Sequence, residues 1–548
     1  MKRTKKLLIG VLSICAAIAG TLGLTACGEE ESSMESSSSI ESSSSLESSE
    51  DIEESPVDEG ATEDLRYQMV DGKEEYAVVG LGSANDEHIV ISSTYEGFPV
   101  TTIADSAFYD CSTITRVTIP DGVTYIGYKT FQACRNLTSV NIPDSVTKIA
   151  SSAFEGCESL QSVTIPGGVT IGSTAFFRCS GLQSVTILDG VKSITTNVFN
   201  GCSNLTSLTL PSTLTSIADT AFAYCGLTSL SLPDSLKTIG VKAFYCCKNL
   251  TSVTLGESTT TIGVSAFDEC VKLQYKQYSG QNYLSSKTNE YFALMGAANK
   301  DLSAYTIHDG AKIIANAAFS GCENLTSVVV PESVAFIGAN AFEYCENLES
   351  VTLPSRLTAI SANLFYCCPK LKTVAIPDGV KSIGTYAFSG CSSLENLLIP
   401  NKVTSIGDQA FSYCESFTEV VIPDSVTKMT YDVFYACTKL ESVVIGKGVT
   451  TIYRLVFGNC SSLSSVTMLG KVTTIASSAF QGCVSLTNIT IPSSVVKINT
   501  DAFSGCSALS DITFEGTVEK WNAITLVSPW NTGVPATKVV CSDGEVSL

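Results

Sequence analysis

The sequence predicts a solenoid of the α/β class: a right-handed coil with a long parallel β-sheet, 3₁₀ or irregular return segments, about 17 repeats of 23 residues, and a cap at each end. Three observations predict it. The motif Phe-x-x-Cys recurs at Phe108, Phe131, Phe154, Phe176, Phe199, Phe222, Phe244 and Phe267 at spacings of 23 or 22, then, after a gap of 52, from Phe319 to Phe503 at 23 without exception. The 22 cysteines are spread over 548 residues, below the density of more than about 8% that marks a disulfide scaffold, and most of them fall on that period. Charge is sparse at 16% of residues, yet Lys+Arg 33 against Asp+Glu 54 leaves −21, so the acid is concentrated in one place. Length alone, at roughly 150 residues per domain, would suggest three or four domains; a fixed internal period overrides that count.

Residues 1–26 have the layout of a secretory signal. Lys2, Arg3, Lys5 and Lys6 precede an apolar run from Leu7 to Ala19, too short for a comfortable membrane span. The run ends in Leu24-Thr25-Ala26-Cys27, which resembles the lipobox of bacterial lipoproteins; the resemblance implies cleavage before Cys27 and lipid attachment to it. Residues 27–64 continue as Ser and Glu, with fourteen acidic residues from Gly28 to Asp64 and no Lys or Arg. Such a segment buries nothing and is expected to be a disordered tether with an end-to-end distance of about 35 Å. Removing the four signal cations takes −21 to −25, and removing the fourteen linker acids leaves −11. The folded part is therefore only mildly acidic.

Residues 65–103, with Tyr76 to Gly80 and Ile89 to Ser92 as strands, read as an N-terminal β cap. Residues 104–270 form the first repeat array and 317–514 the second. One unit reads Leu137-x-x-Val140-x-Ile142-Pro143-x-x-Val146-x-x-Ile149-x-x-x-Ala153-Phe154-x-x-Cys157. Val140 and Ile142 alternate with period two and are β-branched, as in a short strand with one buried face. Pro143 fixes φ and removes the donor that would continue the ladder. Val146, Ile149, Ala153 and Phe154 step by three and four, as an inward-packing return segment would. No unit can bury its apolar side alone, so stability comes from stacking.

This unit resembles the leucine-rich repeats of the BspA-like cell-surface protein family of bacteria, over about Val100 to Phe514. The resemblance implies a surface-displayed protein that binds other proteins or adheres to surfaces, and not an enzyme. Unlike the commonest leucine-rich repeats, the unit has no Asn ladder after the strand; Asp, Ser or Gly stands there, as in Pro120-Asp121-Gly122-Val123.

Seventeen cysteines fall on the ladder, Cys15 in the signal, Cys27 at the anchor, Cys246 and Cys367 beside ladder members, and Cys541 near the end. One cysteine per 23 residues is a packing period, so buried thiols acting as small hydrophobes are expected; paired metal-ligand spacings are missing, and no metal or other cofactor is expected. Two histidines, His88 and His308, leave no Ser-His-Asp arrangement and no catalytic residue. An acidic chain also lacks the basic footprint a nucleic-acid partner needs.

Outward strand positions, eight and ten residues after each Phe, give a candidate ligand face rich in hydroxyls: Ser139 and Asn141, Ser162 and Thr164 and their equivalents. Seventeen strands about 4.8 Å apart make it at least roughly 80 Å long. The second candidate is the irregular 271–316 segment, an insert or a joint between arrays, where Tyr275, Tyr278, Tyr283, Tyr291 and Phe292 crowd either to contact a ligand or to patch the joint. Residues 515–548, holding both tryptophans, read as the C-terminal cap. The function expected is a non-catalytic, lipid-anchored binding or adhesion protein outside a bacterial cytoplasm, held to the membrane through Cys27, with an extracellular protein as partner; a glycan-binding role in nutrient capture is the alternative.

Overall fold

The computed structural model describes residues 60–395 and 397–548; the signal segment, Cys27 and the Ser/Glu linker up to residue 59 lie outside the described residues. The described chain is a parallel β-solenoid in which each Phe marks one coil. In strands such as Ser162–Ile165, Val163 and Ile165 are buried while Ser162 and Thr164 are exposed. Pairing is in register with like residues facing like: Ser162 opposite Ser184, Val163 opposite Val185, Thr164 opposite Thr186, Ile165 opposite Ile187. The 23-residue period thus becomes columns of identical side chains running through the core.

The return segment differs from the irregular or 3₁₀ path that the sequence predicts. It carries a second, two-residue strand per coil, as in Lys148–Ile149 and Thr170–Ile171, which pair in parallel. Two parallel sheet columns therefore flank nearly every coil, the one after Phe388 lacking the longer strand among the described residues, where the sequence predicts one column. A strand of two residues is too short to show period two, and its buried Ile falls at a three-residue step from Val146. Among the described residues the only α-helix is Val518–Asn522 in the C-terminal segment, with Thr517 as its N-cap. The α/β coil is in substance a β coil closed by turns.

The Phe corner closes each turn. Neighbouring rings stack with centroids about 5 Å apart, as in Phe108 on Phe131 at 5.2 Å and Phe154 on Phe176 at 5.0 Å. One stack runs to Phe267 and another from Phe319 to Phe503. Each fully buried ring is worth roughly 2–3 kcal/mol relative to exposure. The residues two before and two after each Phe lie at positive φ, for example Lys129 (55°) with Ala133 (63°), and Leu455 (53°) with Asn459 (57°). This alternation turns the amides at those positions, and at the Phe, toward the next coil. Lys129, Phe131 and Ala133 donate to the carbonyls of Ser151, Ala153 and Glu155 at 3.2, 2.7 and 2.8 Å.

The cysteines do more than fill space. Every described cysteine is a free thiol, and ladder members donate to the Phe carbonyl of the preceding coil: Cys134 to Phe108 at 3.0 Å, Cys460 to Phe434 at 3.2 Å. A thiol is a weak donor, and here it is the second one to its acceptor: Phe108 O and Phe434 O also accept from Cys111 N and Cys437 N of their own coils, each at 3.3 Å. Part of the Ser/Thr content has a similar task. Thr138 donates to Thr115 O at 2.8 Å and Thr147 to Thr124 O at 3.1 Å, each one coil back.

Before the first Phe, Tyr76–Gly80 pairs in parallel with Phe98–Ile103, which pairs with Tyr125–Ile126. After the last, Lys538–Cys541 pairs in parallel with Asp511–Phe514, and Trp530 meets Phe503 edge-on at 6.0 Å.

Candidate binding surfaces

Two surfaces can meet a ligand: the outward face of the longer strands and the joint between the arrays. On the strand face, Ser162 and Thr164 are exposed and Ser139 half-buried. None of the three makes a side-chain hydrogen bond among the described residues, unlike the hydroxyls that tie coils together. Asn141 is exposed but engaged: its Oδ1 accepts from Ile119 N and its Nδ2 donates to Ile119 O, both at 2.8 Å. Asn141 thereby extends the ladder in place of a strand peptide.

Farther along, the same face changes character. Ten residues after Phe319, Phe388 and Phe411 stand Val329, Leu398 and Val421, exposed by 65%, 78% and 55%. Exposed Ala375 fills the coil before Leu398, and the Lys372 and Glu349 side chains pair at 3.0 Å beside this column. The positions were readable from the repeat, since the register of Thr164 applied to these coils lands on them.

In the joint, three strands, Lys276–Tyr278, Gln281–Ser286 and Ala293–Ala297, form an antiparallel meander. Its middle strand pairs in parallel with Ser252–Leu255 of the first array and its last strand with Ile313–Ile314 of the second. The tyrosines divide. Tyr283 and Phe292 are buried and cannot reach a ligand. Tyr283 donates to Gln281 Oε1 at 2.6 Å and accepts from His308 N at 3.1 Å, and burial pushes its hydroxyl up to about 12. Tyr275 is half-buried, with its hydroxyl also raised by burial. Tyr278 is exposed and sits edge-on to half-buried Tyr291 (5.9 Å) and His308 (4.8 Å), while Tyr291 stacks on His308 at 3.8 Å. The outward rings thus form one small aromatic cluster.

Among the described residues, no group of three or more His, Cys, Asp or Glu side chains is placed to hold a metal ion, and no helix is long and apolar enough to cross a membrane. Seventeen coils stacked through a Phe-Cys ladder, with short parallel strands on the exposed face, define a leucine-rich-repeat solenoid. Residues 87–202, 169–292, 312–441 and 430–526 match the BspA type leucine rich repeat region, and the chain belongs to that family, a surface-protein family whose repeats form interaction scaffolds. Comparison with curated proteins gives no match. Among solved structures, a leucine rich cell surface protein from Faecalibacterium prausnitzii is similar at 26% identity, over 84% of this chain and 96% of that one, with a TM-score of 0.35. The leucine-rich repeat protein of T. pallidum shares 25% identity over 38% of this chain and 88% of its own, with a TM-score of 0.30. The pneumococcal vaccine antigen PcpA shares 18% over 88% and 98%, with a TM-score of 0.29.

Proposed function

We propose that the protein is a lipid-anchored, surface-displayed, non-catalytic binding module whose second array engages an extracellular protein. The observation that carries this reading is the run of exposed Ala375, Leu398 and Val421 on neighbouring coils, with exposed Val329 farther along beyond Thr352, on a face that is mostly hydroxylated. Exposed apolar side chains grouped on one surface mark interaction sites; Val421 lies in the strand Glu419–Ile422, and Leu398 holds the equivalent repeat position one coil earlier, outside any strand. The Ser/Glu linker and Cys27 would hold that face clear of the membrane.

The test is capture of extracellular proteins by residues 60–548 and by the Leu398→Glu, Val421→Glu double variant. Partners retained equally by both would overturn the assignment of the face. Replacing Cys27 with Ala should abolish lipid labelling and release the protein from the membrane fraction; unchanged membrane association would refute the anchor. A glycan-binding reading is favoured by the Tyr278, Tyr291 and His308 cluster, because an exposed ring can stack on a sugar. Glycan-array binding that survives Tyr278→Ala would remove that support.

A further inference from the structure

The joint leaves one set of corner donors without acceptors. At every other Phe corner, at least two of the three amides around the Phe donate to carbonyls one coil on, or, for Asp501, Phe503 and Gly505, to Pro529, Trp530 and Thr532. The amides of Ser265, Phe267 and Glu269 have no such partner among the described residues. Their conformation is nonetheless that of the other corners, with Ser265 at φ 57° and Glu269 at φ 61°. Two of the three carbonyls that would have received them are taken by the inserted chain: Ala297 N donates to Ala318 O at 2.9 Å and Lys300 Nζ to Ser320 O at 2.6 Å.

Between the open donors and the insert lies a cavity of about 370 Å³, whose wall includes Ser265, Phe267, Asp268, Asn282, Lys300 and Asn316. Lys300 is the only cation in that wall and Asp268 the only carboxylate. Asn316 Oδ1 accepts from Ala339 N at 3.0 Å, which leaves its Nδ2 as a further donor. The intervening amides of Ala266 and Asp268 are spent within the turn, on Gly263 O and Ser265 O, so the open amides of Ser265 and Phe267 are backbone donors available to an anion, and the one on buried Phe267 is of a kind that is almost always satisfied.

We propose that this cavity binds a small oxyanion, a phosphate, sulfate or carboxylate group, on the amides of Ser265 and Phe267, with Lys300 as the counter-charge. The site needs no surface docking, and it stands whether or not the strand face binds a protein.

The experiment follows amide hydrogen exchange of the full chain in inorganic phosphate, sulfate or acetate, against sodium chloride at matched ionic strength. Phosphate should slow exchange in residues 263–272 and leave the equivalent corner at 129–134 unchanged. Lys300→Met should weaken phosphate binding about tenfold, the loss of one charge-assisted hydrogen bond. Asp268→Asn should tighten it, because a like charge leaves the wall. Opposite signs separate an anion site from a general loosening of the joint. Absence of protection, equal protection at both corners, or a shift of the two variants in the same direction would each overturn the proposal.

Discussion

Tyr305 stands where the ladder of the second array would otherwise begin with a bare face: its ring lies 5.1 Å from that of Phe319, and its hydroxyl is 3.9 Å from the Cys322 thiol. Cys322 opens its array and has no Phe carbonyl of a stacked coil to receive its proton. Tyr305 therefore caps both columns at once, the ring stack with its ring, tilted by 49° to Phe319, and the thiol column with its oxygen.

Tyr305→Ala should expose Phe319 and cost about 3 kcal/mol, in the range for removing a buried aromatic side chain, whereas Tyr305→Phe should cost under about half of that because the ring contact survives. Hydrogen exchange over residues 317–345 checks this, since a solenoid opens locally rather than all at once. Equal losses for the two variants would assign the effect to the hydroxyl alone.

The thiol ladder makes a chemical distinction testable. Cys460→Ala removes one of the two donors to Phe434 O, which keeps the Cys437 N–H at 3.3 Å, and should cost about 1 kcal/mol; Cys460→Ser keeps a donor there and should cost less. Denaturant unfolding of the two variants measures the difference. Were alanine as good as serine, the thiol would be filler and the hydrogen bond incidental.

Alkaline pH should weaken the fold. Burial pushes the Cys134 and Cys460 thiols each up to about 12, from an ordinary value of 9.0. Below pH 9 both folded and unfolded chains hold these protons, so the stabilisation is fully present. As pH rises toward 12 the unfolded chain releases protons that the folded chain keeps, and stability falls. The melting temperature should therefore drop steadily above about pH 9, less steeply in Cys460→Ala; a flat profile would contradict the burial of the thiols.

Corner conformation gives a prediction of opposite sign. Ala133 sits at φ 63°, where six other coils place glycine, as at Gly156 (φ 72°). A Cβ at Gly156 would come no nearer than 3.8 Å to its neighbours, so space is not the constraint at this corner position. Ala133→Gly should stabilise by about 1 kcal/mol, the penalty of the left-handed region for a residue with a Cβ, and Gly156→Ala should destabilise by a similar amount. Thermal melts of the pair decide it, and a destabilised Ala133→Gly would show that the turn is held for other reasons.

How much of this was legible in the sequence depends on the length scale of each signal. Phe, Cys and Pro repeat every 23 residues, so the coil, its count and its core columns could be read directly. The second strand column could not, because Lys148–Ile149 spans too few residues for any period. The left-handed corners carried no glycine signal at the position two before the Phe, which holds Lys129, Leu455 and Tyr386 among others. In the joint, alternation misleads because the pairing shifts register between Asn282 and Tyr283, sending Tyr283 inward while Tyr278 stays exposed. Leu398 and Val421 were readable by counting from Phe388 and Phe411, but the abundance of Ser and Thr at the equivalent positions obscured them.

The backbone hydrogen bonds from the amides at and around each corner Phe run one way, donors on the earlier coil and acceptors on the later. At the Phe corners the two ends of a growing stack are therefore chemically unlike, one presenting backbone N–H groups and the other C=O. A chain that emerges N-terminus first carries its unsatisfied donors at the advancing edge, and each newly delivered coil brings the acceptors that close the one before it. At these corners the order of synthesis and the order of completion coincide within each array, from Phe108 to Phe244 and again from Phe319 to the carbonyls of Pro529, Trp530 and Thr532 that terminate the series.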